Sequence, residues 1–283
     1  MVTALNEGQH LRQTVECLQR NLPPRSEIIV VDDGSTDGCS DFLTTAKSPV
    51  RLVESTNLGI AKARNFGANL STGRVVVFAD AHISVPPGWW RPIVEQLKDP
   101  RAGAVGPTIL SMKDLDEKGY GLHFDGPRLD TEWLDRQGDA PYEVPLLCGC
   151  FWAMRRDVFQ ATGGFDSGLI RWGSDDCELS LRLWLLGYEL WVVPQVEVAH
   201  LFRNQPPYSL EWTAVLHNTL RLAFVHFSAE RIRCVVEALR NHEGFSEGLA
   251  QSIVSDFSAR RAELMSRRVH DDDWFFRRFG LDW

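Results

Sequence analysis

Asp80-Ala81-His82 follows the apolar run 75–79 without a break, so a carboxylate and an imidazole stand two residues apart where a buried strand leaves its sheet. Side chains alternate with period two on extended backbone, so the pair points the same way and can share one divalent cation. Asp-x-His triplets are common at strand ends, and this one gains weight only from its company. His200 closes a second short extended run, Val196-Glu197-Val198-Ala199, and is a third candidate ligand for the same ion. The stretch Arg171-Trp172-Gly173-Ser174-Asp175-Asp176-Cys177-Glu178 opens a helical pattern with three acids. Carboxylates at a helix start can cap free backbone N–H groups and suit the macrodipole. Two adjacent acids cannot both cap, so one of Asp175 and Asp176 is left to face a cleft. Glu178 and Arg182 stand four apart in the favourable order for a helical ion pair and read as scaffold.

The elements that must position these groups alternate helix and strand. Residues 8–22 place Leu11, Val15, Leu18 and Leu22 on one helical face, and 27–31 read as a short apolar strand ended by the turn-rich loop 32–38. A third run, 50–54, leads into a helix over 60–70, Gly73 stops it, and 74–79 is the strand that delivers Asp80. Strands alternating with helices imply parallel pairing with helices on both faces, and ligands gather at the carboxyl ends of such strands. The acidic loop and the Asp-x-His loop are thus expected to face one cleft. Further on, the patterns predict a helix over 89–97 and a strand over 102–109. Residues 111–142, polar and without a period, are expected to form a long surface excursion over the site. Apolar character returns at 144–154, a helix is expected over 175–186 and a strand over 188–193, and helical periodicity dominates from residue 209.

With 283 residues, 44% hydrophobic and 24% charged, the chain can bury a large core in one globular body. The net charge of −8 argues against nucleic-acid binding, which needs clustered Lys and Arg. No 18-residue apolar stretch and no basic-then-apolar N-terminus is present, so neither a membrane span nor a signal peptide is expected. The chain reads as cytoplasmic, compatible with a peripheral place at a membrane. Cys17, Cys39, Cys148, Cys150, Cys177 and Cys234 lack metal or disulfide spacing and are expected to be reduced.

Taken in order, Thr3-Ala4-Leu5-Asn6-Glu7, Val31-Asp32-Asp33-Gly34-Ser35-Thr36-Asp37-Gly38, Asn57-Leu58-Gly59 with Ala63-Arg64-Asn65, and Asp80-Ala81-His82 resemble the signatures of family 2 glycosyltransferases of GT-A fold. The Asp-x-His variant, Gly163-Gly164-Phe165-Asp166, Trp172-Gly173 and His200-Leu201-Phe202-Arg203 are similar to polypeptide N-acetylgalactosaminyltransferase catalytic domains, as is the tail from Arg267 through Phe275. The resemblance covers nearly the whole chain, and five motifs in order are far more specific than any one.

The resemblance implies an α/β, nucleotide-diphospho-sugar transferase (GT-A) fold: a mostly parallel open sheet with helices on both faces, plus a helical C-terminal extension. Residues 1–205 would form the transferase domain, 1–110 its nucleotide half and 111–205 its acceptor and metal half, with 206–283 the extension. Asp80, His82 and His200 match the family's metal ligands. Thr3, Glu7, Asp32 or Asp33, and Arg64 match nucleotide-binding positions, and a carboxylate can recognise a uracil N3–H. Gly149 would let backbone approach the sugar, and Trp172 would be either a stacking wall or core. Manganese tolerates mixed oxygen and imidazole ligands better than magnesium, and a UDP-sugar is the implied donor. A sugar leaving a nucleoside diphosphate builds negative charge that a divalent cation stabilises. Glycan, peptide or lipid acceptors are all compatible.

Two departures bear on mechanism. The retaining N-acetylgalactosaminyltransferases carry an amide where this chain has Asp176, whereas inverting family 2 enzymes place a general base there. Inversion with Asp176 as base is therefore expected, with Asp175 on sugar or acceptor hydroxyls; a retaining, N-acetylgalactosaminyltransferase-like enzyme is the alternative. Family members also have a longer first strand than the two residues before Thr3, and many append a ricin-like lectin domain that residues 1–283 do not contain. Of two rivals, a nucleotidyltransferase usually carries a Gly-rich basic loop near the start, where residues 1–25 hold only Gly8. The other, a binding protein that has lost its chemistry, has no need of an intact triad and Asp176.

Overall fold

The computed structural model describes residues 1–44, 49–203, 205 and 207–283. Its first half follows the alternation read from the residues: β1 (Val2–Ala4), α1 (Gln9–Asn21), β2 (Ile28–Asp32), β3 (Val50–Glu54), α2 (Ile60–Leu70) and β4 (Val75–Asp80). These four strands pair in parallel in the order β3-β2-β1-β4. The two-residue β5 (Ile83–Ser84), α3 (Trp90–Gln96) and the fully buried β6 (Ala102–Ser111) come next. β7 (Lys118–Gly119), β8 (Leu122–Asp125), β9 (Asp130–Trp133) and β10 (Tyr142–Glu143) are short, and β11 (Phe151–Arg155) inserts antiparallel between β4 and β6. Then come α4 (Arg156–Thr162), α5 (Asp175–Leu185), β12 (Glu189–His200), α6 (Trp212–His226), α7 (Ala229–Leu239), α8 (Phe245–Val254), α9 (Phe257–Arg267) and α10 (Asp272–Phe279).

The full sheet runs β10-β12-β6-β11-β4-β1-β2-β3, with β12 and β6 again parallel. β11 shows how its faces are divided. Trp152 and Met154 join the core with Phe78, Phe165 and the helices α5, α6 and α10, while Phe151 and Ala153 join the core with α1 and α3. That two-residue alternation is what a strand buried on both faces requires. Glu178 and Arg182 are the scaffold their spacing implies: both are buried, Arg182 Nε lies 2.8 Å from Glu178 Oε1, and His226 Nε2 lies 2.9 Å from the same oxygen. Among the described residues no helix is long and apolar enough to cross a membrane.

Two expectations are corrected. Residues 111–142 are not a structureless excursion: β8 and β9 form an antiparallel hairpin, and β7 pairs with β6. Leu122 and Phe124 are buried while His123 and Asp125 are not, an alternation too short to stand out among Asp and Gly. The runs 188–193 and 196–200 are one strand, β12, whose pairing with β6 shifts register between Val193 and Glu197. Pro194 lies in that gap, where a residue without an N–H interrupts the ladder but not the strand.

Candidate functional site

The sheet register assembles the acid and the two histidines. β4 ends on Asp80, His82 sits in the turn before β5, and β5 pairs antiparallel with the end of β12, setting Ile83 opposite His200. One ligand atom from each of Asp80, His82 and His200 lies within 4.8 Å of the others, the one such cluster among the described residues. The two imidazole rings are 4.7 Å apart. His200 Nε2 is 3.4 Å from Asp80 Oδ2, near enough for charge to act but misdirected for a hydrogen bond, so both of its ring nitrogens are buried without a hydrogen-bond partner. Burial lowers the His200 pKa against the opposing pull of Asp80, which favours the neutral ring a metal needs. Burial would raise the Asp80 pKa, but His200 and Arg64 outweigh it and hold this carboxyl well below the usual range. A carboxylate beside two imidazoles, one of them orphaned, fits a divalent ion of the manganese type.

Arg64, expected as a nucleotide contact, is 3% exposed and committed to protein groups. It donates to Asp175 Oδ2 at 2.5 Å, Asp80 Oδ1 at 2.9 Å and the Gly149 carbonyl at 2.7 Å. Burial, against the pull of Arg64 and helped by Asp176 and Asp80, pushes the Asp175 carboxyl up to about 6. Neither Asp175 nor Asp176 caps α5, whose N-cap is Ser174 with no side-chain bond. Asp176 is half-buried and accepts Gly149 N–H on Oδ2 and Cys177 N–H on Oδ1, each at 2.8 Å. Gly149 is therefore required by Asp176: a Cβ there would stand 2.9 Å from Asp176 Oδ2. All six cysteines are free.

The acidic loop is built inward. Asp32 accepts Ser35 N–H at 2.8 Å and the Ser40 hydroxyl, closing the turn that follows β2. Asp33 accepts Leu58 N–H at 2.7 Å, Gly59 N–H at 2.8 Å and the Ser55 hydroxyl at 2.8 Å, drawing 55–59 against the end of β2. Both acids are buried, and every carboxylate oxygen has a protein donor. Thr3 stands opposite Asp80 in the β1–β4 register. Gly59 has φ +82° and a Cβ there would lie 2.7 Å from Arg171 N, so the 57–59 loop packs directly on the segment that carries Trp172. Trp172 is 46% exposed, which removes it from the core.

Asn218 and Tyr208 belong to no motif, whereas Arg203 closes the His200-Leu201-Phe202-Arg203 motif, which assigns it no role of its own. Asn218 of α6 lies 2.8–3.1 Å from the carbonyls of Ile170, Trp172 and Gly173 and accepts Ile170 N–H, fixing the Trp172 segment. Burial, with Asp80, Glu7 and Asp175 adding to it, pushes the Tyr208 phenol up to about 12. Arg203 donates to Glu7 Oε2 at 2.6 Å, and the same oxygen lies 3.1 Å from His82 Nδ1. Glu7, expected to touch nucleotide, thus stands behind a histidine of the triad.

The model of the family described as glycosyl transferase family 2 matches residues 1–163, and that of the N-terminal domain of galactosyltransferase matches residues 136–204. The chain is similar to polypeptide N-acetylgalactosaminyltransferase 11 of Xenopus tropicalis, 34% identical over 226 residues, covering 70% of this chain and 37% of that protein. It is also similar to polypeptide N-acetylgalactosaminyltransferase 15 of Homo sapiens, 31% identical over 236 residues, covering 75% and 37%. The chain therefore spans little more than a third of these relatives' length. Among solved structures, GalNAc-T7 with UDP, GalNAc and Mn2+ superposes with a TM-score of 0.79 at 22% identity, over 99% of this chain and 56% of that one. A mannosyltransferase of Pyrobaculum calidifontis in complex with GDP-Man and Mn2+ superposes with a TM-score of 0.56 at 18% identity, over 99% and 82%. The fold is GT-A, as the resemblance implied.

Proposed function

Because the chain belongs to glycosyltransferase family 2, as the match over residues 1–163 shows, we propose that it is a metal-dependent enzyme moving a sugar, N-acetylhexosamine foremost, from a UDP-sugar to a hydroxyl on a peptide or glycan. The observation that carries this reading is the convergence of Asp80, His82 and His200, with both nitrogens of His200 orphaned. These three residues would hold a divalent cation. When bound, the cation would act as a Lewis acid on the diphosphate and stabilise the charge left on it. The buried turns held by Asp32 and Asp33 would shape the base pocket beside Thr3, and exposed Trp172 would offer a flat wall to sugar or acceptor. Arg64 acts as a cross-brace that keeps Asp80, Asp175 and the Gly149 peptide in fixed relation, so their spacing does not need to be organised when donor arrives.

The relatives are named polypeptide N-acetylgalactosaminyltransferases, which favours retention of the anomeric configuration. One observation favours a second reading. Asp176 is a carboxylate at the position where the family resemblance implies an amide, and after its two backbone bonds it keeps lone pairs able to take an acceptor proton, as an inverting base must. Incubation with UDP-sugars, Mn2+, and Ser/Thr peptide or glycan acceptors, with NMR of the product anomer, decides between them. An α-linked product from an α-linked donor is expected; a β-linked product would move the case to inversion with Asp176 as base. Failure to transfer or hydrolyse any UDP-sugar would overturn the transferase reading.

A further inference from the structure

We infer that Glu7 is a positioning residue for the metal triad: it fixes the ring and the tautomer of His82, and Arg203 in turn fixes Glu7. This rests on the reading of Asp80, His82 and His200 as metal ligands. The geometry is specific. Glu7 is 7% exposed, and its Oε2 lies 3.1 Å from His82 Nδ1 and 2.6 Å from the Arg203 guanidinium. An ionised carboxylate only accepts, so His82 Nδ1 must carry a hydrogen, and of the two neutral tautomers this selects the one whose Nε2 lone pair is free for a metal. A histidine ligand whose far nitrogen is bonded to a carboxylate is both oriented and made more basic. Arg203 balances the charge of Glu7 from the other side.

The backbone around Glu7 is held as firmly as its side chain. Asn6 has φ 55°, its N–H donates to Ser35 Oγ at 2.9 Å, and its Oδ1 accepts Thr36 N–H at 2.8 Å. Gly8 has φ +56° and donates its N–H to Asp37 Oδ2 at 2.8 Å. Two left-handed residues clamped to the same 35–37 loop thus aim Glu7 at the triad. Arg203 follows His200 by three residues, so one carboxylate ties the β4–β5 turn, which carries the second ligand, to the segment that leaves the third.

The test is Mn2+ affinity, read from the EPR signal of free Mn2+, for wild type, Glu7→Ala, Glu7→Gln and His200→Ala, with the thermal midpoint of each metal-free protein as control. Glu7→Ala is expected to lower the metal-free midpoint, because Arg203 loses its buried partner, and in the folded variant to weaken Mn2+ binding about 10- to 100-fold. Glu7→Gln, whose carbonyl oxygen still accepts the Nδ1 hydrogen, is expected to lose less, though several-fold; it decides the matter alone if Glu7→Ala does not fold. Wild-type affinity in the folded Glu7 variants, with Mn2+ binding lost in His200→Ala, would overturn the role of Glu7 and leave the triad standing. Wild-type affinity in His200→Ala as well would remove the triad, and the inference with it.

Discussion

Replacing Arg64 with Met should destabilise the protein in a way that depends on pH. Arg64 is buried and bridges two carboxylates and a carbonyl. Removing one partner of a buried, hydrogen-bonded charge pair typically costs ~3–5 kcal/mol, because the other charge is left uncompensated. Unfolding entropy of roughly 2.1 cal/mol/K per residue makes that about 5–8 °C of thermal midpoint for a chain of 283 residues. The pH dependence follows from Asp175, whose folded pKa of about 6 lies above the unfolded value of roughly 3.9. A raised carboxyl pKa leaves stability intact below the unfolded value and removes it as pH climbs through the folded one. Without Arg64 the carboxyl rises further, and each added unit removes about 1.4 kcal/mol at alkaline pH. Urea denaturation of the metal-free protein should therefore show a larger loss for Arg64→Met at pH 8 than at pH 5. Arg64→Met/Asp175→Asn should recover part of the pH 8 loss. A loss under about 1 kcal/mol at pH 8, or equal losses at both pH values, would refute the view of Arg64 as the compensating charge of this site.

Two further outcomes follow from the loop 148–150. Asp176→Asn leaves one of the Gly149 and Cys177 N–H groups without an acceptor, so about 1–3 kcal/mol of stability should go, measured by denaturation. Transfer with the same product anomer should persist, and its complete loss in a folded variant would make Asp176 the base. Gly149→Ala forces a Cβ to within 2.9–3.1 Å of the Asp176 side chain, an overpacking worth about 1–3 kcal/mol. Its kcat should fall together with its stability; an unchanged kcat would mean that the 148–150 turn does not shape the site.

The parts of the fold legible from the residues were those with a strong local period. α2 lies where Gly59 and Gly73 bracket it, and β2 and β4 are apolar runs ended by acids, so the place of both loops at the carboxyl ends of one parallel sheet could be read in advance. The approach of His200 to His82 depends on β5, two residues long, pairing with β12, and nothing local in Ile83–Ser84 marks a strand. α4 was missed because seven residues opening Arg156-Asp157 carry too little periodicity. The role of Glu7 was out of reach for a different reason. Seventy-five positions separate it from His82, and a motif can mark a residue as belonging to a site without saying which way its side chain turns. Asp32 and Asp33 make the same point: their types suggest base recognition, and only the structure shows that the same oxygens also hold the turns beside β2.

Asp80, His82 and His200 should bind one divalent cation that a nucleoside diphosphate also needs. Calorimetric titration of UDP into the wild type and His200→Ala, each with and without Mn2+, tests it most directly. Mn2+ should strengthen UDP binding to the wild type at least tenfold, and that gain should vanish in His200→Ala. UDP binding of equal strength with and without Mn2+, or an Mn2+-dependent gain that survives His200→Ala, would contradict it.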